Sequence, residues 1–132
     1  MHSEIKVSFF YEGFDIHPDE LTKLLGIKPD KIQEDGALLR EIPKKLFKKG
    51  HLWSLYANDF SKNIEDQTMS ILNKIKPFKI NFIEASKKYN TYLMCLVESY
   101  EGDRPSIVFN KDIVKELADM NTEISIDLYI YD

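Results

Sequence analysis

Cysteine occurs once in the 132 residues, at Cys95, and histidine three times, at positions 2, 17 and 51. A lone thiol excludes an internal disulfide framework and suits a reducing compartment. The histidines lack the i, i+4 spacing of a helical metal pair, and there is no Cys pair or EF-hand loop, so neither metal nor cofactor is expected. They read instead as three separate surface or capping residues. The glycines at 13, 26, 36, 50 and 102 are too dispersed to build a loop that cradles phosphate. No Gly-x-Ser-x-Gly elbow occurs. Cys95 sits inside an apolar run, where burial raises a thiol's pKa and blocks access. No catalytic residue is expected. A run of about 18 apolar residues, which a membrane helix needs, is also missing. Met1-His2-Ser3-Glu4 passes straight into Ile5-Lys6-Val7-Ser8-Phe9-Phe10, without the basic start and long apolar stretch of a leader. A soluble, cytoplasmic protein is expected.

What is present is an apolar share of 43%, an aromatic share of 12% and a net charge of −4. These suit one globular domain over residues 1–132 and exclude a globally basic nucleic-acid binder. The charge is unevenly placed. Residues 40–51 carry Arg40, Lys44, Lys45, Lys48 and Lys49 against Glu41, while residues 98–132 hold nine acids against Arg104, Lys111 and Lys115. A field of this kind steers partners and does not determine fold.

Ile5, Val7, Phe9 and Tyr11 alternate with more polar neighbours, a strand with one buried face that Gly13 is expected to end. Pro18, with Asp19 and Glu20 behind it, opens a helix over 18–25. Leu21, Leu24 and Leu25 form its apolar stripe, and Gly26 closes it. Between 27 and 50 the pattern weakens. Ala37-Leu38-Leu39 reads as part of a short strand, and 44–49 as a helical turn or a hairpin tip. His51–Ala57 is rich in strand formers, and Asn58, Asp59 and Ser61 supply turn and cap chemistry. Ile64, Thr68, Ile71, Leu72 and Ile75 share a helical face that Pro77 must interrupt. Residues 77–88 alternate like a strand at 78, 80 and 82, yet step by three and four as a helix does. Two successive helices, 62–75 and 77–88, are preferred. Thr91–Val97 reads as a central strand buried on both faces. Residues 101–105 form a turn and 107–109 a short extended piece. Asn110 caps a helix carrying Ile113, Val114, Leu117 and Ala118. Ile124, Ile126, Leu128 and Ile130 then alternate with Ser125, Asp127, Tyr129 and Tyr131 in a final strand. The predicted class is α+β. It is a two-layer sandwich of a mainly antiparallel sheet with helices on one face, with a ferredoxin-like βαββαβ core plus an extra αβ unit.

An opening aromatic strand leads to His17-Pro18-Asp19-Glu20-Leu21 and Leu25-Gly26-Ile27-Lys28-Pro29. Gly36, Trp53-Ser54-Leu55, a closing helix and Ile126-Asp127-Leu128-Tyr129 follow. In order and spacing the chain resembles the family called domain of unknown function 4279, over most of its length. Nothing is carried over to residues 37–50. Pro29, Gly36, Trp53 and Asp127 match the recurring motif, to which the family attaches no chemical role. The resemblance implies a single intracellular α+β domain of bacterial type with no assigned activity. Through members encoded beside polymorphic-toxin genes, it also implies an immunity-type protein that binds and blocks a toxin.

Two function classes follow. In the first, the protein is a non-enzymatic binding domain that covers a protein partner, such as a toxin, with its open sheet face or acidic carboxy-terminal half. Aromatics among Phe10, Trp53, Tyr129 and Tyr131 would be the anchors. In the second, it is a small-molecule-binding protein or an enzyme with a pocket near Asp127 and Trp53, with Arg104 reaching the ligand. Asp127 is an acid in mid-strand that needs a partner or water; Trp53 reads either as core or as surface. The basic run 40–49 reads as a solvated loop rather than a nucleic-acid contact, and the last strand, if at an edge, offers a homodimer contact.

Overall fold

The chain is described by a computed structural model at residues 3–34, 51–58 and 63–131. The expectations for Gly36, for the strand at 37–39 and for the basic run 40–49 lie outside these residues, as do those for Asp59 and Ser61. Among the described residues five strands and four α-helices follow one another as β1 (Glu4–Phe14), α1 (Pro18–Leu25), β2 (Lys31–Gln33), β3 (His51–Tyr56), α2 (Ile64–Ile75), α3 (Lys79–Ser86), β4 (Asn90–Tyr100), α4 (Lys111–Asp119) and β5 (Thr122–Tyr131). A single 3-10 turn, Lys76–Phe78, joins α2 to α3 around Pro77. The two-helix reading of 62–88 is therefore met, with the proline breaking the ladder where its ring forbids continuation.

The strands form one sheet in the order β2-β3-β1-β4-β5. β1 is antiparallel to β3 and to β4, β2 is antiparallel to β3, and β5 is parallel to β4. The parallel pair needs a crossover, which α4 supplies. The fold is α+β with a mixed five-stranded sheet. Gly13 does not end β1. The strand continues to Phe14 through an irregularity at Gly13, whose φ of 69° shifts the register against β3. The short strand β2, Lys-Ile-Gln, carries no apolar alternation that would announce it. Residues 107–109 form no strand, although Phe109 packs against the core.

Local chemistry sets the helix ends. His17 Nδ1 accepts the Asp19 N–H at 3.1 Å, and Pro18 opens α1. Gly26 closes α1 at φ 88°, and a Cβ there would lie 3.0 Å from Phe78. Asn63 Oδ1 accepts the Glu65 and Asp66 N–H groups at the start of α2. Asn110 Oδ1 accepts the Ile113 N–H at the start of α4.

The helices cover one face of the sheet. Phe9, Tyr11, Trp53, Leu55, Leu93, Cys95 and Val97 point into that layer with Leu21, Ile71, Phe82, Ile113 and Leu117. Tyr11, Trp53 and Phe82 make edge and tilted ring contacts near 6 Å. Such rings bury large apolar area in a defined geometry. Gln67 of α2 completes the sheet where β3 runs out. Its Oε1 accepts the Val7 N–H at 2.9 Å, and its Nε2 donates to the Ile5 carbonyl. On the other face, Phe10, Leu52, Tyr92 and Met94 form a second, smaller buried cluster.

Candidate protein-binding surface

The β4–β5 register pairs Leu96 with Asp127, Glu98 with Tyr129 and Tyr100 with Tyr131. Because side chains alternate, these six share the face opposite the helices. Tyr100 and Tyr131 stack with ring centroids 4.7 Å apart and planes 12° from parallel. The Tyr100 hydroxyl donates to Glu98 Oε2 at 3.2 Å. The Asp127 carboxylate beside Tyr129, more than any other group, pushes the Tyr129 pKa up. Tyr100 is shifted the same way, first by partial loss of water and then by Glu98. Negative charge beside a phenol disfavours the phenolate, so both rings hold their protons well above neutral pH. The result is a row of three tyrosines flanked by Glu98 and Asp127, with Tyr129 and Tyr131 both exposed. Ring faces and carboxylates together attract cations.

The sequence candidates separate accordingly. Asp127, Tyr129 and Tyr131 come together. Trp53 does not join them, which corrects its place among the surface residues. It is 0% exposed, lies on the helix side of the sheet, and donates its indole N–H to Thr22 Oγ1 at 3.0 Å. A large apolar ring with one satisfied donor is at home in that core. Trp53 and Asp127 therefore lie on opposite faces and line no common pocket. Phe10 is buried too, stacked on Tyr92 at 5.3 Å. Arg104 is exposed between the Glu101–Gly102 turn and α4, with no ion pair to Asp127 among the described residues. His17 serves as a cap, and the His51 ring lies against Phe14. Among the described residues, no group of three or more His, Cys, Asp or Glu side chains is placed to hold a metal ion. Cys95 is fully buried, and burial pushes its thiol up to about 12.

Sequence reasoning missed Tyr100 and Glu98, which lie beyond the strand read over Thr91–Val97; β4 runs on to Tyr100 and its register with β5 brings them beside Asp127. It also missed the other side of β5. Ile124, Ile126, Leu128 and Ile130 are 38%, 38%, 49% and 71% exposed. Among the described strands β5 has a neighbour on one side alone, and its apolar residues are covered only in part. Glu65 of α2 accepts from Asn110 at the helix start, and Lys79 of α3 pairs with Glu116 at 2.8 Å and Asp119 at 3.1 Å. These ties join α4 to α2 and α3. Ile113 and Leu117 are buried, and Val114 stays exposed.

The family model described as Domain of unknown function (DUF4279) matches residues 3–131, nearly the whole chain, and the chain belongs to that family. No curated protein and no solved structure matches it. No helix of the described residues is long and apolar enough to cross a membrane.

Proposed function

We propose that this member of the DUF4279 family is a non-enzymatic protein-binding domain, of the immunity type that blocks a bacterial toxin. The observation that carries the reading is the row of Tyr100, Tyr129 and Tyr131 beside Glu98 and Asp127, with Tyr129 and Tyr131 exposed. Tyrosines are common anchors of interfaces, and they lose little rotamer freedom on binding. The surrounding acids suit a basic partner, such as a nuclease, and would speed its encounter at low salt. A pocket shared by Asp127 and Trp53, which a ligand-binding or enzymatic reading requires, has no support, because the sheet separates them.

Two finer expectations belong to the same reading. The strands β1 to β4, with neighbours antiparallel in the order β2-β3-β1-β4, support a ferredoxin-like core to which α4 and β5 are added. A lone, buried thiol supports residence in the cytoplasm.

The test is affinity capture from the cells that make the protein. A stoichiometric protein partner is expected, with capture lost when Tyr129 and Tyr131 are both changed to alanine. Recovery of no stoichiometric partner, or of one that the double variant holds equally well, contradicts the proposal.

A further inference from the structure

We infer that the outer edge of β5 takes up an extended strand from a partner protein, one whose side chains alternate apolar with lysine or arginine. This rests on the binding reading above and names how the partner is recognised.

β5 is ten residues long and ends the sheet. Among the described residues no strand pairs with its outer side. Half of its backbone N–H and C=O groups face away from β4, a template for strand addition. Natural edges are blunted with proline, lysine or bulges. Thr122–Tyr131 contains no proline, lysine or glycine, and its pairing with β4 runs without a register shift.

An incoming strand meets two unlike surfaces at this edge. On the helix side, Ile124, Ile126, Leu128 and Ile130 present a continuous apolar stripe, with Val114 of α4 also exposed. On the open side stand Glu123, Asp127, Tyr129 and Tyr131, with Glu98 one strand further in. Side chains of an added strand alternate between these surfaces. Apolar residues at every second position would extend the isoleucine row. Cations at the others would meet carboxylates and tyrosine rings as cross-strand neighbours.

A second copy of the chain fits poorly. Paired antiparallel with itself face to face, β5 sets Asp127 directly or diagonally opposite a carboxylate of the other copy in every register that overlaps most of the strand. Like charges directly opposite destabilise a ladder, and the diagonal placements gain nothing to offset this. The edge homodimer is therefore the less favoured occupant.

Two fluorescently labelled decapeptides test this, one alternating valine with lysine and the other valine with glutamate, each titrated at low salt and followed by hydrogen exchange. The expected result is at least tenfold tighter binding of the valine–lysine peptide, with slowed exchange across Thr122–Tyr131. Glu123→Lys combined with Asp127→Lys should reverse the preference. Ile126→Lys combined with Leu128→Lys should abolish binding of both peptides; these sites are part-exposed, so circular dichroism should show the fold kept. Equal binding of the two peptides, or no change at β5, overturns the inference. So does a dimer whose β5 amides are already slow without peptide. If a cellular partner still binds the Ile126→Lys/Leu128→Lys variant, the edge inference fails and the binding reading stands. If wild-type protein captures no partner while the valine–lysine peptide protects β5, the reverse holds.

Discussion

β4 and β5 are neighbouring parallel strands with the same apolar alternation on the helix side, yet they end differently. Leu93, Cys95 and Val97 of β4 are 0% exposed, whereas their register partners Ile124, Ile126 and Leu128 are 38–49% exposed. The side chains are equally apolar. What differs is the third dimension: β4 has β1 on its far side and the helix layer above it, while β5 ends the described sheet and its apolar stripe is only partly covered. Alternation specifies which face is apolar. It does not specify what covers that face.

Truncation should expose this contrast most strongly. Leu93→Ala is expected to cost about 2–5 kcal/mol, the usual range for a buried leucine that leaves a cavity. Its register partner Ile124→Ala should cost under about 1 kcal/mol, because a part-exposed side chain loses little on truncation. Urea denaturation of both variants checks this. Equal losses would mean that β5 is covered as β4 is.

The inner strands also depend on a polar contact that the outer edge lacks. Gln67→Leu leaves the Val7 N–H and the Ile5 carbonyl without their partner inside the core. The expected loss is about 1–3 kcal/mol, the desolvation cost of orphaned backbone groups. A near-neutral result would show that water reaches β1 there.

Alkali should act on the inner strands before it acts on the edge. Burial raises the Cys95 thiol from 9.0 to about 12 and raises the Tyr11 phenol as well. Each native group holds its proton where the unfolded chain has lost it. The associated stability is fully present below the unfolded values and is lost as pH rises through the folded ones. Between pH 8 and pH 10 the expected loss from Cys95 is about 1 kcal/mol. Cys95→Val should flatten that slope. Over the same interval the native thiol should not react with a disulfide reagent, and rapid reaction would contradict its burial.

A smaller effect is expected from the tight helix layer. Gly26→Ala forces an alanine into φ 88° and brings its Cβ to 3.0 Å from the Phe78 ring. A loss of about 1 kcal/mol follows from the left-handed conformation alone. Tyr131→Ala on the open face should move the melting midpoint less than this.

Much of the fold was legible because short-range chemistry decides it. Pro18 and Gly26 bracket α1, Pro77 divides α2 from α3, and Asn110 caps α4, all as the residue types require. The strands β1 and β5 announce themselves by alternation, β3 by its strand-forming residue types and β4 by its apolar run. β2 does not, since Lys31-Ile32-Gln33 owes its pairing to β3 rather than to its own pattern. Of the candidate surface, Asp127, Tyr129 and Tyr131 were readable from parity on one strand. Tyr100 and Glu98 required the β4–β5 register. Trp53 was ambiguous because a tryptophan on a strand suits either face, and only the ring partners and Thr22 place it inside. The exposure of the isoleucine stripe was least legible, because it depends on the order of the strands in the sheet, which no local pattern sets.

The openness of the β5 edge is best tested by residue-resolved hydrogen exchange on the isolated protein. β4 amides should exchange slowly throughout. Along Thr122–Tyr131 slow and fast amides should alternate, the fast ones facing away from β4. Uniformly slow exchange along all of β5 would show that the edge is already occupied and would contradict the account.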